Sequence, residues 1–242
     1  MGEPAIQAVS RAVQLLSFFT EEEPELTLAE LASRFELAKT TTHRYATSLR
    51  QEGLLRYDPL TGRYSLGIRL ARLGRIALTS LHVVDVAGPH LEAIAREVND
   101  TAVLAIWDGG LPVVVRVSYP PRRGIFVGVR EGDRLGPKAA QSLVMQAFLR
   151  PQGTPDPELA QVRRQGYAAV TYEENGVTAV ARPVFQEDAI VATLAVVGTA
   201  RTVDGTTIEK VADRLGRAAG DIGTELGGGR PRPNAVGLAH SR

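Results

Sequence analysis

At 242 residues, with 44% hydrophobic and 23% charged positions, the chain suits one large domain or two ordinary ones, with ample length for a core. A net charge of only +1 gives no global basicity, and the absence of cysteine excludes disulfides, thiolate zinc sites and cysteine nucleophiles. The longest apolar stretch, Ala189 to Gly198, is far below the ~20 residues of a membrane helix, and Glu3 with the amphipathic pattern after it does not suit a signal peptide. A cytoplasmic protein without membrane attachment is expected.

Ile6, Val9, Val13, Leu16 and Phe19 recur at helical spacing, which predicts a first helix to about Phe19. Glu21 to Glu25, broken by Pro24, reads as an acidic turn-forming loop. Thr27-Leu28-Ala29-Glu30 has the form of a capping box, in which the hydroxyl takes a free amide and the carboxylate reaches back. Leu28, Leu31, Ala32 and Phe35 then supply the buried face of a second helix. After the short turn Glu36 to Ala38 comes LAKTTTHRYATSLRQEGLL, Leu37 to Leu55. As a helix it buries Leu37, Tyr45 and Leu49 and turns Lys39, Thr40, His43, Arg44, Thr47 and Arg50 largely outward. Arginine and lysine reach guanine edges or phosphates, and threonine offers a hydroxyl and a methyl. Taken alone, the stripe also suits a solvated surface helix. Two short helices joined by so tight a turn match helix-turn-helix geometry, with the second helix inserted in DNA.

Gly53 ends that helix. Leu54 to Tyr57 and Arg63 to Leu66 then flank Asp58-Pro59-Leu60-Thr61-Gly62, with Pro and Gly where a hairpin needs them. The hairpin is read as the wing of a winged helix-turn-helix, with Arg63 at its base reaching a phosphate or the minor groove, or else merely solvating a strand edge. Local charge agrees with a DNA-binding face. Met1 to Ala38 carries two basic and seven acidic residues, a net −5, whereas Lys39 to Arg75 carries eight basic and two acidic, a net +6.

Gly67 to Ser80 sets Ile68, Leu70, Leu73 and Ile76 against Arg69, Arg72 and Arg75, an amphipathic linker helix that places the domain boundary near Leu81. A further helix is expected over about Val83 to Val98, bent at Pro89. From Thr101 the period changes. Strands are predicted over Thr101–Trp107, Pro112–Tyr119, Ile125–Val129, Tyr167–Thr171, Val177–Phe185 and Ile190–Gly198, with a hairpin signal at Asp108-Gly109-Gly110. Helices are predicted over Lys138–Leu149, Asp156–Gln165 and Thr206–Leu226. That order gives an α+β domain with helices on an antiparallel sheet, of the GAF/profilin-like sensor type. The expected domains are thus 1–66 (winged helix), 67–81 (linker), 82–226 (α+β) and a disordered tail, 227–242.

With the wing and linker in order, the chain resembles the IclR (isocitrate lyase regulator) family of bacterial transcription factors over nearly its full length. The matching pieces are AVSRAVQLLSFF, LTLAELASRFELAKTTTHRYATSLRQEGLL and YDPLTGRYSLGIRLARLG, then RRQGYA, EENGVTAVARPVF and IVATLAVVG. The resemblance implies DNA binding by Lys39 to Ser48, Thr41 included, together with the wing. It also implies homodimers through the N-terminal and linker helices, often assembled as dimers of dimers, and a small organic or aromatic acid as effector in the C-terminal domain. Two segments at the family's pocket depart from its usual pattern: Pro137-Lys138-Ala139-Ala140-Gln141-Ser142-Leu143, and Ala179, where a cysteine or serine is common.

A helix starting near Lys138 would offer unpaired amides to a carboxylate, with Lys138, Gln141 and Ser142 as further donors. Ile106, Val127, Met145 and Val180 are candidate apolar walls, although each also suits plain core. Catalytic residues, metals and cofactors are not expected: the four histidines (His43, His82, His90, His240) are scattered, and no phosphate loop or nucleophile elbow appears. The expected function is ligand-responsive regulation at a roughly palindromic operator. The alternatives are an α+β ligand-binding protein with weak enzymatic activity and a winged helix used for protein interaction.

Overall fold

A computed structural model describes residues 6–79, 81–121, 127–150 and 156–227. The chain divides into two units, Met1–Leu78 and Thr79–Arg242. The first begins with α1 (Gln7–Leu16), capped by Ser17 just short of the expected end at about Phe19. Its apolar stripe faces outward: Ile6, Val9 and Val13 are 72%, 60% and 57% exposed, and only Leu15 is buried. The acidic stretch contains a strand that the sequence did not announce, β1 (Glu25–Thr27). The capping box then opens α2 (Leu28–Phe35), the Thr27 amide donating to Glu30 at 2.7 Å and the Glu30 amide to the Thr27 hydroxyl at 3.3 Å. Such a cap stabilises a helix by about 1 kcal/mol. Glu36, in the left-handed conformation, turns the chain into α3 (Lys39–Gln51).

The hairpin follows as β2 (Leu55–Asp58) and β3 (Arg63–Leu66), and β1 pairs antiparallel to the far side of β3, giving the order β1-β3-β2. Leu26, Leu55 and Tyr64 turn inward from this sheet and meet Leu15, Leu31, Phe35, Ala46 and Leu49 in one core. Phe35 sits edge-on to both Phe18 and Tyr45, which locks the two helices of the motif together. Gly67 follows the hairpin where the chain passes back over Gly53; a Cβ there would lie 2.1 Å from the Gly53 carbonyl oxygen, so only glycine fits. Next comes α4 (Ile68–Thr79), exposed on its outer residues, with Arg69 bridged to Glu52 at 3.0 Å.

In the second unit α5 (His82–Val98) carries Pro89 inside it and ends at Asn99, which takes a left-handed cap conformation. The strands are β4 (Thr101–Trp107), β5 (Pro112–Ser118), β6 (Ala168–Tyr172), β7 (Val177–Gln186) and β8 (Ala189–Thr199). They form one antiparallel sheet of order β5-β4-β8-β7-β6. Of the strand expected over Ile125–Val129, residues 125 and 126 lie outside the described residues, and 127–129 are not strand. This segment instead leads to a stretch that meets β5 through a single bridge, Val113 to Arg134. The remaining helices are α6 (Ala140–Leu149), α7 (Pro157–Gln165) and α8 (Ile208–Glu225). The expected tail lies, from residue 228 on, outside the described residues.

Both sheet faces are covered. One side packs Leu104, Val180, Val184, Leu194 and Val196 against Leu91 and Ile94 of α5 and Leu215 and Ile222 of α8. The other packs Val103, Ala179, Ala181, Ala195 and Val197 against Val144 of α6 and Leu159 and Val162 of α7. Strand alternation enforces this division, since consecutive residues point to opposite faces.

Candidate DNA interface and effector face

The helix α3 is buried on Thr42, Ala46 and Leu49, with Leu37 and Tyr45 half-buried beside them. That leaves Lys39, Thr40, His43, Arg44, Ser48 and Arg50 exposed and Thr41 and Thr47 half-buried at the edges of the stripe. Thr42 cannot join this face, because its hydroxyl donates back to the Ala38 carbonyl at 3.3 Å. Lys39, His43, Arg44 and Arg50 make no side-chain hydrogen bond or ion pair among the described residues. Four cationic or protonatable groups are therefore held on one rigid face with their donors unused. Exposed arginine and lysine heads with free donors are able to neutralise phosphates and reach base edges.

Arg63 is placed differently from the expectation. Its Nη1 donates to the Glu25 carbonyl of β1 at 3.1 Å and lies 3.9 Å from the Glu30 carboxylate. It lines an acidic depression with Glu22, Glu23, Glu25 and Glu30, so its charge is spent within the fold. The sequence could not reveal this, because the partner is a backbone carbonyl 38 residues earlier. The wing cation without a hydrogen bond or ion pair among the described residues is Arg56, exposed on β2. Arg56 also lies near Asp58, whose carboxyl is held below its usual range by the Leu60 amide first, then the Thr61 hydroxyl, with Arg56 adding a smaller pull.

On the second unit the expected helix start moves from Lys138 to Ala140, with Ala139 as its cap and no side chain closing it. Lys138 is exposed, Ala139 half-buried and Ala140 buried. The two expected polar donors are committed elsewhere. Gln141, 4% exposed, donates through Nε2 to the Thr193 carbonyl at 3.2 Å and hydroxyl at 3.1 Å, tying α6 to the sheet. Ser142 donates its hydroxyl to the Gly136 carbonyl at 2.6 Å, and Gln146 reaches the Pro137 carbonyl at 2.9 Å. These bonds strap the segment before α6 onto the helix.

The apolar walls divide. Val127 and Ala179 pack on the α6 side, and Met145 is fully buried on α6 itself. Ile106 and Val180 pack on the opposite side, under α5 and α8, so they cannot line the same site. The reason is parity: Ala179 and Val180 are neighbours on one strand. Residues on the α6 side that the sequence did not single out are Thr101, whose hydroxyl meets the Val127 carbonyl at 2.9 Å, and Tyr172, whose phenol is pushed up by burial.

Comparison with known proteins decides the family. The model of the IclR helix-turn-helix domain matches residues 8–59, and that of the bacterial transcriptional regulator IclR C-terminal domain matches residues 154–224. The chain belongs to the IclR family. It is 27% identical to the transcriptional regulator XynR of Escherichia coli over 93% of this chain and 98% of the relative. It is 42% identical to the glycerol operon regulatory protein of Streptomyces coelicolor over a shorter stretch, 28% of this chain and 27% of the relative. Among solved structures, an IclR-type regulator of Silicibacter sp. superposes with a TM-score of 0.80 at 22% identity, covering 93% of this chain and 98% of the other. HmgR of Pseudomonas aeruginosa superposes with a TM-score of 0.65 at 27% identity, covering 91% and 99%. The relatives are named as a transcriptional regulator and an operon regulatory protein, which sets this IclR-family chain among DNA-binding regulators and not among enzymes. The helix-turn-helix match takes in α1 to β2, whereas Lys138 to Met145 fall between the two matched ranges. Among the described residues no helix is long and apolar enough to cross a membrane, and no acidic or histidine cluster is able to hold a metal ion.

Proposed function

We propose that this IclR-family regulator reads a roughly palindromic operator as a dimer, and that a small organic acid on the α6 side of its second unit sets its affinity for DNA. The observation that carries the first half is the face of Lys39, Thr40, His43 and Arg44, exposed on a helix whose opposite side is fixed in a core. One winged helix reads one half-site, and two-fold pairing of protomers calls for two. The outward apolar stripe of α1, Ile6, Val9 and Val13, together with the exposed Ile68 and Leu73 of α4, is surface that a second copy would cover. Effector binding then acts through α4 by favouring one arrangement of the paired DNA-binding units.

The acid is argued from α6. Its first-turn amides carry the positive end of the helix dipole, and Lys138 stands exposed just before them. The apolar surround of Val127 and Ala179 suits an organic body behind the carboxylate. An IclR homologue from Microbacterium hydrocarbonoxydans was solved as a complex with 4-hydroxybenzoate, a molecule of that chemical kind.

Selection of genomic fragments by the purified protein tests the first half: enrichment of a shared inverted-repeat sequence is expected, and enrichment of none contradicts it. A panel of aliphatic and aromatic carboxylates in a thermal-shift assay tests the second. At least one is expected to stabilise the wild type and to stabilise Lys138→Ala less; equal shifts for both proteins would remove the α6 site.

A further inference from the structure

The hairpin of β6 and β7 turns through Glu173-Glu174-Asn175-Gly176, between the paired residues Tyr172 and Val177. Asparagine and glycine suit such a turn, glycine because it accepts a positive φ at no steric cost. In the same dipeptide an asparagine side chain is most open to attack by its own backbone, since glycine has no Cβ to crowd the approaching amide. A folded turn is able to prevent that attack by burying the side chain or by engaging the amide.

This turn does neither. Asn175 is exposed, and its side chain makes no hydrogen bond among the described residues. The Gly176 amide, the attacking group, makes none either. Gly176 has a φ of +64°, and a Cβ placed there would meet nothing within 4 Å, so the space around the reacting atoms is open. The turn is held instead by the groups on either side. The Asn175 amide donates to the Tyr172 carbonyl at 3.3 Å, and the Gly176 carbonyl accepts the Ala200 amide at 2.7 Å.

Asn99 supplies the contrast within the same unit. It is exposed too, but the residue after it is Asp100, which is 2% exposed. The Asp100 carboxyl is wedged against Gly198, where a Cβ would lie 2.7 Å from its carbon. A packed side chain on the following residue pins the backbone that would have to swing towards Asn99.

We propose that Asn175-Gly176 is a site of spontaneous modification, at which the asparagine converts to aspartate and isoaspartate. The Gly176 nitrogen, having lost its proton to hydroxide, bonds to Cγ of Asn175. The bond from Cγ to the side-chain nitrogen breaks, and that nitrogen takes a proton from water and leaves as ammonia. Water then opens the cyclic imide. Cleavage between the Gly176 nitrogen and Cγ gives aspartate. Cleavage between that nitrogen and the main-chain carbonyl carbon gives isoaspartate, in which the backbone runs through the side chain and gains one carbon. Water is the sole co-reactant, and nothing is oxidised or reduced. The extra carbon enters just before Gly176 and displaces its carbonyl from the Ala200 amide, loosening the hairpin from the end of β8. Either product also sets a third carboxylate beside Glu173 and Glu174.

The test ages the full-length protein for days in warm, mildly alkaline buffer, beside Asn175→Gln and a free peptide of sequence Tyr172 to Thr178. Peptide mapping by mass spectrometry follows the conversion of amide to acid, and methylation by an isoaspartate-specific methyltransferase detects the rearranged product. Wild type is expected to lose Asn175 within about tenfold of the rate of the free peptide, faster as pH rises, with Asn99 intact. Aged wild type should melt below fresh wild type. Asn175→Gln should not change on ageing, because its ring is one atom larger and closes far more slowly. An intact Asn175 after the free peptide has converted, or loss of Asn175 no faster than loss of Asn99, would overturn the site. Conversion that leaves the melting temperature unchanged would overturn the loosening of the hairpin.

Discussion

The two helices on which function was expected, α3 and α6, use their polar side chains in opposite ways. On α3 the exposed lysine, histidine and arginines make no hydrogen bond or ion pair among the described residues. On α6, Gln141, Ser142 and Gln146 all donate to carbonyls of their own unit. Side chains already satisfied inside the fold have nothing left for a ligand, whereas unsatisfied ones on a rigid face are available to one. The α3 surface is built from side chains. On the proposed reading, what α6 would offer a ligand is its first-turn backbone amides, with Lys138 standing just before them.

The sharpest way to break this contrast is Arg44→Ala. It should lower affinity for the selected duplex by about a hundredfold through loss of a bidentate base or phosphate contact. The circular dichroism spectrum and melting temperature should stay unchanged, because the residue is exposed. Gln141→Ala should do the reverse: lose about 2 kcal/mol of stability in denaturant titration, because the Thr193 carbonyl and hydroxyl are left without their donor, and bind DNA normally once folded. Lys138→Ala separates the two modes on α6, with unchanged stability and about tenfold weaker binding of any stabilising acid by calorimetry.

A smaller effect discriminates within the wing. Arg56→Ala should reduce the salt slope of DNA binding by about 1, whereas Arg63→Ala, whose guanidinium is held by the Glu25 carbonyl, should leave it nearly unchanged. The smallest concerns Asp100, 2% exposed, whose carboxyl is pushed up by burial and partly drawn back by the Thr202 hydroxyl. A raised folded pKa contributes stability below the ordinary value of 3.8, and that contribution is lost as pH rises through the folded value. Asp100→Asn keeps an acceptor for Thr202. It should therefore melt higher than wild type at neutral pH, with the gain vanishing below pH 3.8.

The winged helix was legible because its signals are local: the capping box at Thr27 and Glu30, the 3.6 period of α3, and Pro59 and Gly62 in the hairpin. The strand β1 was not, since it has three residues and only Leu26 turns inward, too short for alternation to register. The proposed effector side was harder for a physical reason. A sheet covered on both faces reads as near-continuous apolar sequence, so nothing in Val177 to Phe185 tells which residues look towards α6. That is why Ala179 and Val180 were grouped together and the fold sends them apart. The role of Arg63 was hidden likewise, because a hydrogen bond to a distant backbone carbonyl leaves no trace in composition or spacing.

The central claim is that the free charges of α3 meet DNA. It is tested most directly by equilibrium titration of wild type and Arg44→Ala with selected and scrambled duplexes over a series of salt concentrations. Wild type should prefer the selected duplex, with log K falling linearly and steeply against log salt, and Arg44→Ala should lose the preference and show a shallower slope. Equal preference and equal slopes for the two proteins would contradict the claim.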